Sequence, residues 1–179
     1  MSFTTNIKDE LSKLEMSRAE NIAELSAFIR NNAKYNFGAI ELNTENSNVA
    51  KRVYLFLKNI YGVSAEIITK KSNTFNRNNI YLVEVKEKIS DILNDLSVVD
   101  ENGNYLEMPK KYIVDSTSEE KAYIRGVFLA KGSVNDPKTS RYHLEILSDH
   151  KYEAVFIQRL LNQFMLNSKI LMRDNKYMI

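Results

Sequence analysis

The stretch Ile124-Arg-Gly-Val-Phe-Leu-Ala-Lys-Gly132 sets the organisation of the whole sequence. Its apolar residues recur at helical spacing, and Gly132 interrupts the pattern as a glycine past a helix C-terminus does. Just before it, Thr117-Ser-Glu-Glu120 has the form of a capping box, a pattern that starts helices. We therefore predict a helix that begins near Thr117 and ends near Lys131.

The order helix, strand, helix, strand occurs twice along the chain, which indicates an internal repeat. The copies align with an offset of 99 residues between Ala33 and Gly132, and of 103 between Ile67 and Ile170. A second capping-box pattern, Ser17-Arg-Ala-Glu20, opens the first copy. The spacing predicts helices over 3–14, 18–31, 45–61, 87–96 and 152–164, and strands over 39–43, 63–70, 80–86, 142–146 and 168–173.

These elements divide the chain into three parts. We predict a first repeat at 1–97, a linker at 98–116 and a second repeat at 117–179. The linker is mostly polar and contains Asn-Gly at 102–103, with a short extended piece predicted at 111–114. The second copy stops at Tyr177-Met-Ile179, where the first would begin its third strand, so we expect the second repeat to be truncated.

The composition excludes several classes of protein. The 179 residues include no Cys, so disulfides, Cys-ligated metals and thiol nucleophiles are excluded. The formal net charge of +2 is too small to indicate nucleic-acid binding by itself. The N-terminus lacks the apolar run of a signal peptide, and no stretch approaches the roughly 20 apolar residues of a membrane span. We expect a cytoplasmic protein without a membrane partner.

The segment Ile124–Gly132 resembles the LAGLIDADG helix of homing endonucleases, in which two such helices pack together through small residues. The resemblance implies inter-repeat helix packing through Ala27, Gly126 and Ala130, because 25–33 is the corresponding segment of the first copy. It also implies an α+β fold: two pseudo-symmetric helix-and-strand repeats that form a curved antiparallel sheet covered by helices.

The longer run from Tyr123 to Pro137, followed by Tyr142-His-Leu-Glu145, is similar to the WhiA family of bacterial transcriptional regulators. The opening Met1-Ser-Phe-Thr4, and Lys8-Asp-Glu-Leu11 after it, are similar to that family too, and the resemblance covers essentially the whole chain. It implies a DNA-binding role in transcription regulation, and in cell division or sporulation. Members also carry a C-terminal helix-turn-helix domain, which nothing in this sequence matches.

LAGLIDADG nucleases carry one acidic residue near the end of each central helix, and the two carboxylates hold divalent cations between the DNA strands. The matching positions here are Asn32 and Lys131. An amide is at best a neutral ligand and an ammonium repels a metal, so we expect no catalysis, no metal and no cofactor. An active homing endonuclease is the alternative. His143 and Glu145 share a strand face, and we interpret them as a solvated or DNA-facing pair rather than an acid–base pair.

In the family fold the concave face of the sheet lies on DNA. Alternation predicts that Ile40, Leu42, Tyr142, Leu144 and Ile146 point inward and that Ala39, Glu41, Asn43, Arg141, His143 and Glu145 point outward. The candidate DNA-binding residues are Lys70, Lys71, Arg77, Arg141, His143, Lys169 and Arg173. The same face is predicted to carry carboxylates that oppose DNA, on Glu41, Glu66, Glu84 and Glu145.

These residues are compatible with three alternatives for the binding partner of this part of the protein. Double-stranded DNA is contacted either by this part of the protein or only through the C-terminal domain. The third alternative is a protein-interaction module without DNA contact.

Overall fold

Six α-helices and eight strands make up the part of the chain that the computed structural model describes, residues 2–71, 79–139, 141 and 143–179. The helices are α1 Phe3–Leu11, α2 Arg18–Asn32, α3 Ser47–Tyr61, α4 Ile89–Asp95, α5 Thr117–Lys131 and α6 Lys151–Gln163. The strands are β1 Lys34–Asn36, β2 Ala39–Thr44, β3 Glu66–Lys71, β4 Asn79–Val85, β5 Gly132–Val134, β6 Leu144–Ser148, β7 Leu171–Arg173 and β8 Lys176–Met178. The predicted α+β class is confirmed.

The two long central helices begin at equivalent side-chain caps. The Ser17 hydroxyl accepts the N–H of Glu20 and the Glu20 carboxylate accepts the N–H of Ser17, as the predicted capping box requires. The second box is formed by Ser116 and Glu119. The prediction at Thr117–Glu120 is therefore wrong by one residue, because the extended backbone of the cap falls at Ser116. The two boxes are separated by the same 99 residues as the helix ends.

The strands form two antiparallel sheets with the same topology. The first has the order β1-β2-β4-β3 and the second the order β5-β6-β8-β7. This identity of order, in which the last strand of each repeat inserts between two earlier ones, confirms the internal repeat. The sheets differ mainly in strand length, since β7 and β8 have three residues each.

Three short strands, β1, β5 and β8, are not predicted by the sequence pattern, because three residues are too few to show alternation. The last of them, β8, occupies the position of the third predicted strand of the first repeat, where we expected the second repeat to stop. Strand β8 pairs with both β6 and β7, and Ile146 and Ile179 exchange two backbone hydrogen bonds of 2.9 Å. The turn before β8 uses Asp174 and Asn175, both with positive φ, in place of a glycine.

Two predicted side-chain orientations are corrected by the sheets. Ile40, Leu42 and Ile146 are buried as predicted, but Ala39 is buried too, because β1 pairs with β2 and makes β2 an interior strand. Leu144 was expected inside and is 42% exposed, since it begins β6 and lines an open groove beside α1. Tyr142 lies outside the described residues.

The segment predicted as a linker, 98–116, is packed against the helices. Val98 and Ile113 are buried in the two different cores. A 3₁₀ helix at Lys111–Ile113 replaces the predicted extended piece, which was wrong. The guanidinium of Arg30 donates to the carbonyl of Leu106, so the segment is tied to α2 at its middle.

Helices α2 and α5 form the largest contact between any two described elements. Each contributes to the core of the other repeat: Leu129 of α5 belongs to the first cluster of buried residues, and Ala23 and Ala27 of α2 belong to the second. A Cβ placed on Gly126 would overlap the carbonyl oxygen of Glu24 and come within 2.9 Å of the Ala27 Cβ. The two backbones therefore cross closely at Gly126.

None of the helices in the described ranges combines the length and the apolar character needed to cross a bilayer.

The close crossing predicts the effect of replacing Gly126 with Ala. In an open helix this change stabilises by about 1 kcal/mol through helix propensity. Here the added methyl meets backbone that cannot rotate away, so we expect destabilisation by about 2 kcal/mol or more. Urea unfolding measures the difference. Ser118→Ala, at an exposed position of the same helix, is the matched control and should change stability by less than about 0.5 kcal/mol. A Gly126→Ala variant as stable as that control would contradict the close crossing.

Candidate nucleic-acid interface

The first of the two positions that hold acids in the nucleases is occupied by an amide with a structural role. Asn32 is the last residue of α2, and its Nδ2 donates to the carbonyl of Asn43 at 2.9 Å. The N–H of Asn43 donates back to the Asn32 Oδ1 at 2.8 Å. Both polar atoms of the Asn32 side chain are therefore bonded to β2, and they fix the end of the helix to the sheet.

The second position, Lys131, lies beside a cleft between the C-terminal ends of the two central helices. The cleft has a volume of about 550 Å³. We call it the central cleft, and it is lined by Lys8, Asn32, Lys34, Asn43, Thr44, Glu45, Ile80, Ala130 and Lys131. Its lining thus includes three lysines and one glutamate.

Lys8 reaches the central cleft from α1, and sequence reasoning did not identify it. Its Nζ donates to the carbonyl of Leu129 at 3.1 Å and lies 5.6 Å from the centre of the Phe128 ring. The pKa of Lys8 is lowered to about 8, mainly by burial; the Glu45 charge opposes this lowering and the positive charge of Lys131 adds to it. No signal in the sequence marks this residue, because its placement depends on how α1 docks.

The residues of the central cleft do not fit the divalent cations that the nuclease fold implies. The Asn32 amide oxygen already accepts a backbone N–H, and Lys8 and Lys131 place positive charge where a cation would bind. Over the described ranges, no group of three or more His, Cys, Asp or Glu side chains could hold a metal ion.

A buried carboxylate joins the two repeats beside the close helix crossing. Glu24 is 2% exposed, and its Oε1 accepts from Arg52 Nε at 2.5 Å while its Oε2 accepts from the Nε of Arg125. Arg52 belongs to α3 of the first repeat and Arg125 to α5 of the second. Sequence reasoning missed the role of Glu24; the signal that could have found it is a charged residue within a helix that otherwise supplies core residues.

A second buried cluster joins α2 to α6. Arg30 Nε lies 2.8 Å from Glu153 Oε2, and both side chains are fully buried. Asn31 and the hydroxyl of Tyr123 also donate to Glu153. Burial and the Glu153 charge raise the pKa of Tyr123 well above its ordinary value, so the hydroxyl stays a hydrogen-bond donor. Both clusters link first-repeat helices to second-repeat helices.

The candidate DNA-binding residues are divided between the two sheets. By strand alternation Lys70 lies on the open face of the first sheet and Arg173 on that of the second, while Lys71 points to the opposite face. His143 and Lys169 line one cavity of about 430 Å³ at the edge of the second sheet. Arg141 is exposed just before β6. Arg77 lies outside the described residues.

The open face of the first sheet carries a row of carboxylates. The strand register places Glu41 opposite Glu84, and Glu84 opposite Glu66. Lys34 is opposite Glu41 at one end of the row, and the Nζ of Lys86 lies 2.6 Å from Glu84 Oε1. On the second sheet His143 Nε2 lies 3.4 Å from Glu145 Oε2. The two open faces therefore carry mixed charge.

Comparison with known families identifies the two halves. The family model for the WhiA N-terminal LAGLIDADG-like domain matches residues 18–99, and the model for the WhiA LAGLIDADG-like domain matches residues 120–179. A probable cell division protein WhiA of Bacillus cytotoxicus is 41% identical over 181 residues, which cover 99% of this chain and 57% of that protein. A probable cell division protein WhiA of Bacillus cereus is 40% identical with the same coverage. The chain thus spans 57% of the length of these curated relatives.

Solved structures show the same fold. The N-terminal LAGLIDADG domain of DUF199/WhiA matches with a TM-score of 0.74 and 24% identity, covering 99% of this chain and 82% of that one. The homing endonuclease I-DmoI, in complex with DNA and Mn, matches with a TM-score of 0.58 and 18% identity, covering 90% of this chain and 89% of that one.

The lowered pKa of Lys8 predicts a pH effect on stability. The unfolded chain keeps the Lys8 proton up to an ordinary pKa of 10.5, whereas the folded chain releases it near 8. Folding releases a proton between these values, so the free energy of unfolding rises with pH across this window. Urea unfolding at several pH values should therefore show wild type gaining stability over Lys8→Met between about pH 8 and about pH 10.

The matched control is Lys58→Met, which removes the same charge from an exposed position of α3. Its stability should stay parallel to that of wild type over this range. Parallel curves for wild type and Lys8→Met would contradict the environment described for Lys8.

Proposed function

The chain belongs to the WhiA family, and on that basis we propose that it is the non-catalytic, LAGLIDADG-derived part of a DNA-binding transcriptional regulator linked to cell division or sporulation. The role of the whole protein is part of this proposal, because the chain spans 57% of its curated relatives. We place the protein in the cytoplasm, where bacterial DNA lies. The observation that carries the proposal is the pair Asn32 and Lys131 at the ends of the two central helices.

The chemistry of metal-assisted phosphodiester cleavage supports the non-catalytic part. Cleavage needs carboxylates that hold hard cations beside the scissile phosphate. Here one position is an amide bonded to the backbone of Asn43, and the other is an ammonium. Lys8 adds a second positive charge to the same cleft. This arrangement favours an anion over a cation, so an active homing endonuclease is the weaker alternative.

The charge on the sheets supports a limited contact with DNA. Lys70, Arg173 and Lys176 lie on the open faces, and phosphates are neutralised by such groups. The row of carboxylates on the first sheet repels phosphates, so only part of the surface is suited to DNA. We propose weak, salt-dependent contact that positions a separate DNA-binding domain, rather than sequence readout by this part of the protein.

A specific observation favours the protein-interaction alternative. Large apolar side chains are exposed together at the end of the second repeat, with Met165 92% and Met172 69% exposed, and Leu166 and Leu171 beside them in the sequence. Exposed apolar groups of this kind are used in protein contacts. Binding through them would persist at high salt, whereas binding to phosphates would not.

Binding to duplex DNA tests the proposed contact. We expect low-affinity binding whose logarithm falls linearly with the logarithm of salt concentration. Charge reversal at Lys70 and Arg173 together should weaken binding and reduce the salt slope by about 1 for each lost phosphate contact. Fluorescence anisotropy with a labelled duplex of arbitrary sequence measures both quantities. Lys58→Glu is the matched control and should leave binding unchanged.

Two results would contradict the proposal. The absence of duplex binding at low salt would contradict the proposed direct contact with DNA and favour the protein-interaction alternative. Cleavage of a supercoiled plasmid by the purified protein with Mg²⁺ would contradict the proposal that this part of the protein is non-catalytic.

A further inference from the structure

We infer that the central cleft is an anion site, in which the ammonium groups of Lys8 and Lys131 bind a phosphate group at the position where the nucleases hold metal ions. This deepens the proposed function, because duplex DNA lying across the two sheets is one source of such a phosphate. A free phosphate compound is the other source. The chemistry is the same for both, a compact anion with several acceptor oxygens.

The charge balance of the central cleft is the first argument. The charged residues that line it are Lys8 from α1, Lys34 from β1, Glu45 before α3 and Lys131 from α5, and the remaining lining residues, on α2, β2, β4 and α5, are uncharged. Three ammonium groups face one carboxylate, although the net charge of the whole chain is only +2. Clefts lined by one sign of charge concentrate ions of the opposite sign.

The fixed position of Lys8 is the second argument. The Thr4 hydroxyl donates to the carbonyl of Val134 at 2.9 Å and accepts the N–H of the same residue at 3.0 Å, which ties the start of α1 to β5. One turn later, Lys8 Nζ donates to the carbonyl of Leu129. That bond uses one of three N–H donors on the ammonium. The group is thus held in place with donors to spare.

The two helix ends favour the lysine side chains at this place, but their partial charges do not balance the positive charge of the cleft. The C-terminal ends of α2 and α5 carry partial negative charge, which attracts Lys8 and Lys131. The lowered pKa of Lys8 reflects burial and the charge of Lys131, which the Glu45 charge offsets only in part. A bound anion supplies the missing negative charge, so binding and protonation of Lys8 favour each other.

Titration with sulfate tests the site, because sulfate has the shape of phosphate and its charge does not change near neutral or alkaline pH. Backbone amide NMR of the 179-residue chain should show saturable shifts around Leu129, Lys131 and Asn32. Lys8→Met and Lys131→Met should each weaken sulfate binding by about tenfold. Lys58→Met removes the same charge elsewhere and should leave it unchanged.

The pH dependence of wild type tests the site without a substitution. Binding at about pH 9.5 should be about tenfold weaker than at about pH 7, since Lys8 loses its proton near pH 8. Equal affinity at both pH values, or equal affinity in Lys8→Met and Lys58→Met, would overturn the anion site. These results hold even where one variant folds poorly, because the wild-type measurement stands by itself.

Competition identifies the source of the phosphate. Displacement of sulfate by duplex DNA, with a smaller salt slope for duplex binding in Lys8→Met, supports the site and assigns it to the DNA backbone. Sulfate binding that duplex DNA does not displace supports the site and assigns it to a free phosphate compound. A chain that binds sulfate through Lys8 but no duplex keeps the anion site and overturns the proposed DNA contact, so the two failures are distinguishable.

Discussion

The buried contact between α2 and α5 is the constraint on which the rest of the structure depends. Gly126 lets the α5 backbone approach the carbonyl of Glu24, and the carboxylate of the same residue bonds Arg52 of one repeat and Arg125 of the other. Removing one partner of a buried ion pair costs about 3–5 kcal/mol, because the remaining charge is left uncompensated. Shape and charge at this crossing therefore hold the two repeats in one register.

That register determines which residues line the central cleft and what charge they carry. Asn32 and Lys131 are the last residues of the two crossing helices, and both line the central cleft. Each helix leads directly into an edge strand, and the cleft opens beside the first sheet, whose strands contribute Lys34, Asn43, Thr44 and Ile80. Docking of α1 then adds Lys8 to the cleft. The position at which the nucleases hold metal ions is therefore lined by positively charged side chains in this protein.

The sequence predicted what depends on local pattern and missed what depends on tertiary contact. Helix periodicity and capping residues located α2, α3 and α5, and the recurring order of helices and strands predicted the internal repeat that the two matching strand orders confirm. The short strands β1, β5 and β8 were not predicted, because three residues show no alternation, and the turn before β8 has no glycine. The roles of Lys8 and of the Glu24 cluster were not predicted, because their partners, Leu129 and Arg125, lie more than 100 residues away in sequence.

The helix crossing makes the two repeats one cooperative unit. Native-state hydrogen exchange as a function of urea tests it most directly, because it reports opening free energies residue by residue. We expect buried amides of both repeats, such as those of Val83 in β4 and Ile157 in α6, to converge on one opening free energy with one urea dependence. Two separate values, with the second repeat opening while the first stays closed, would contradict it.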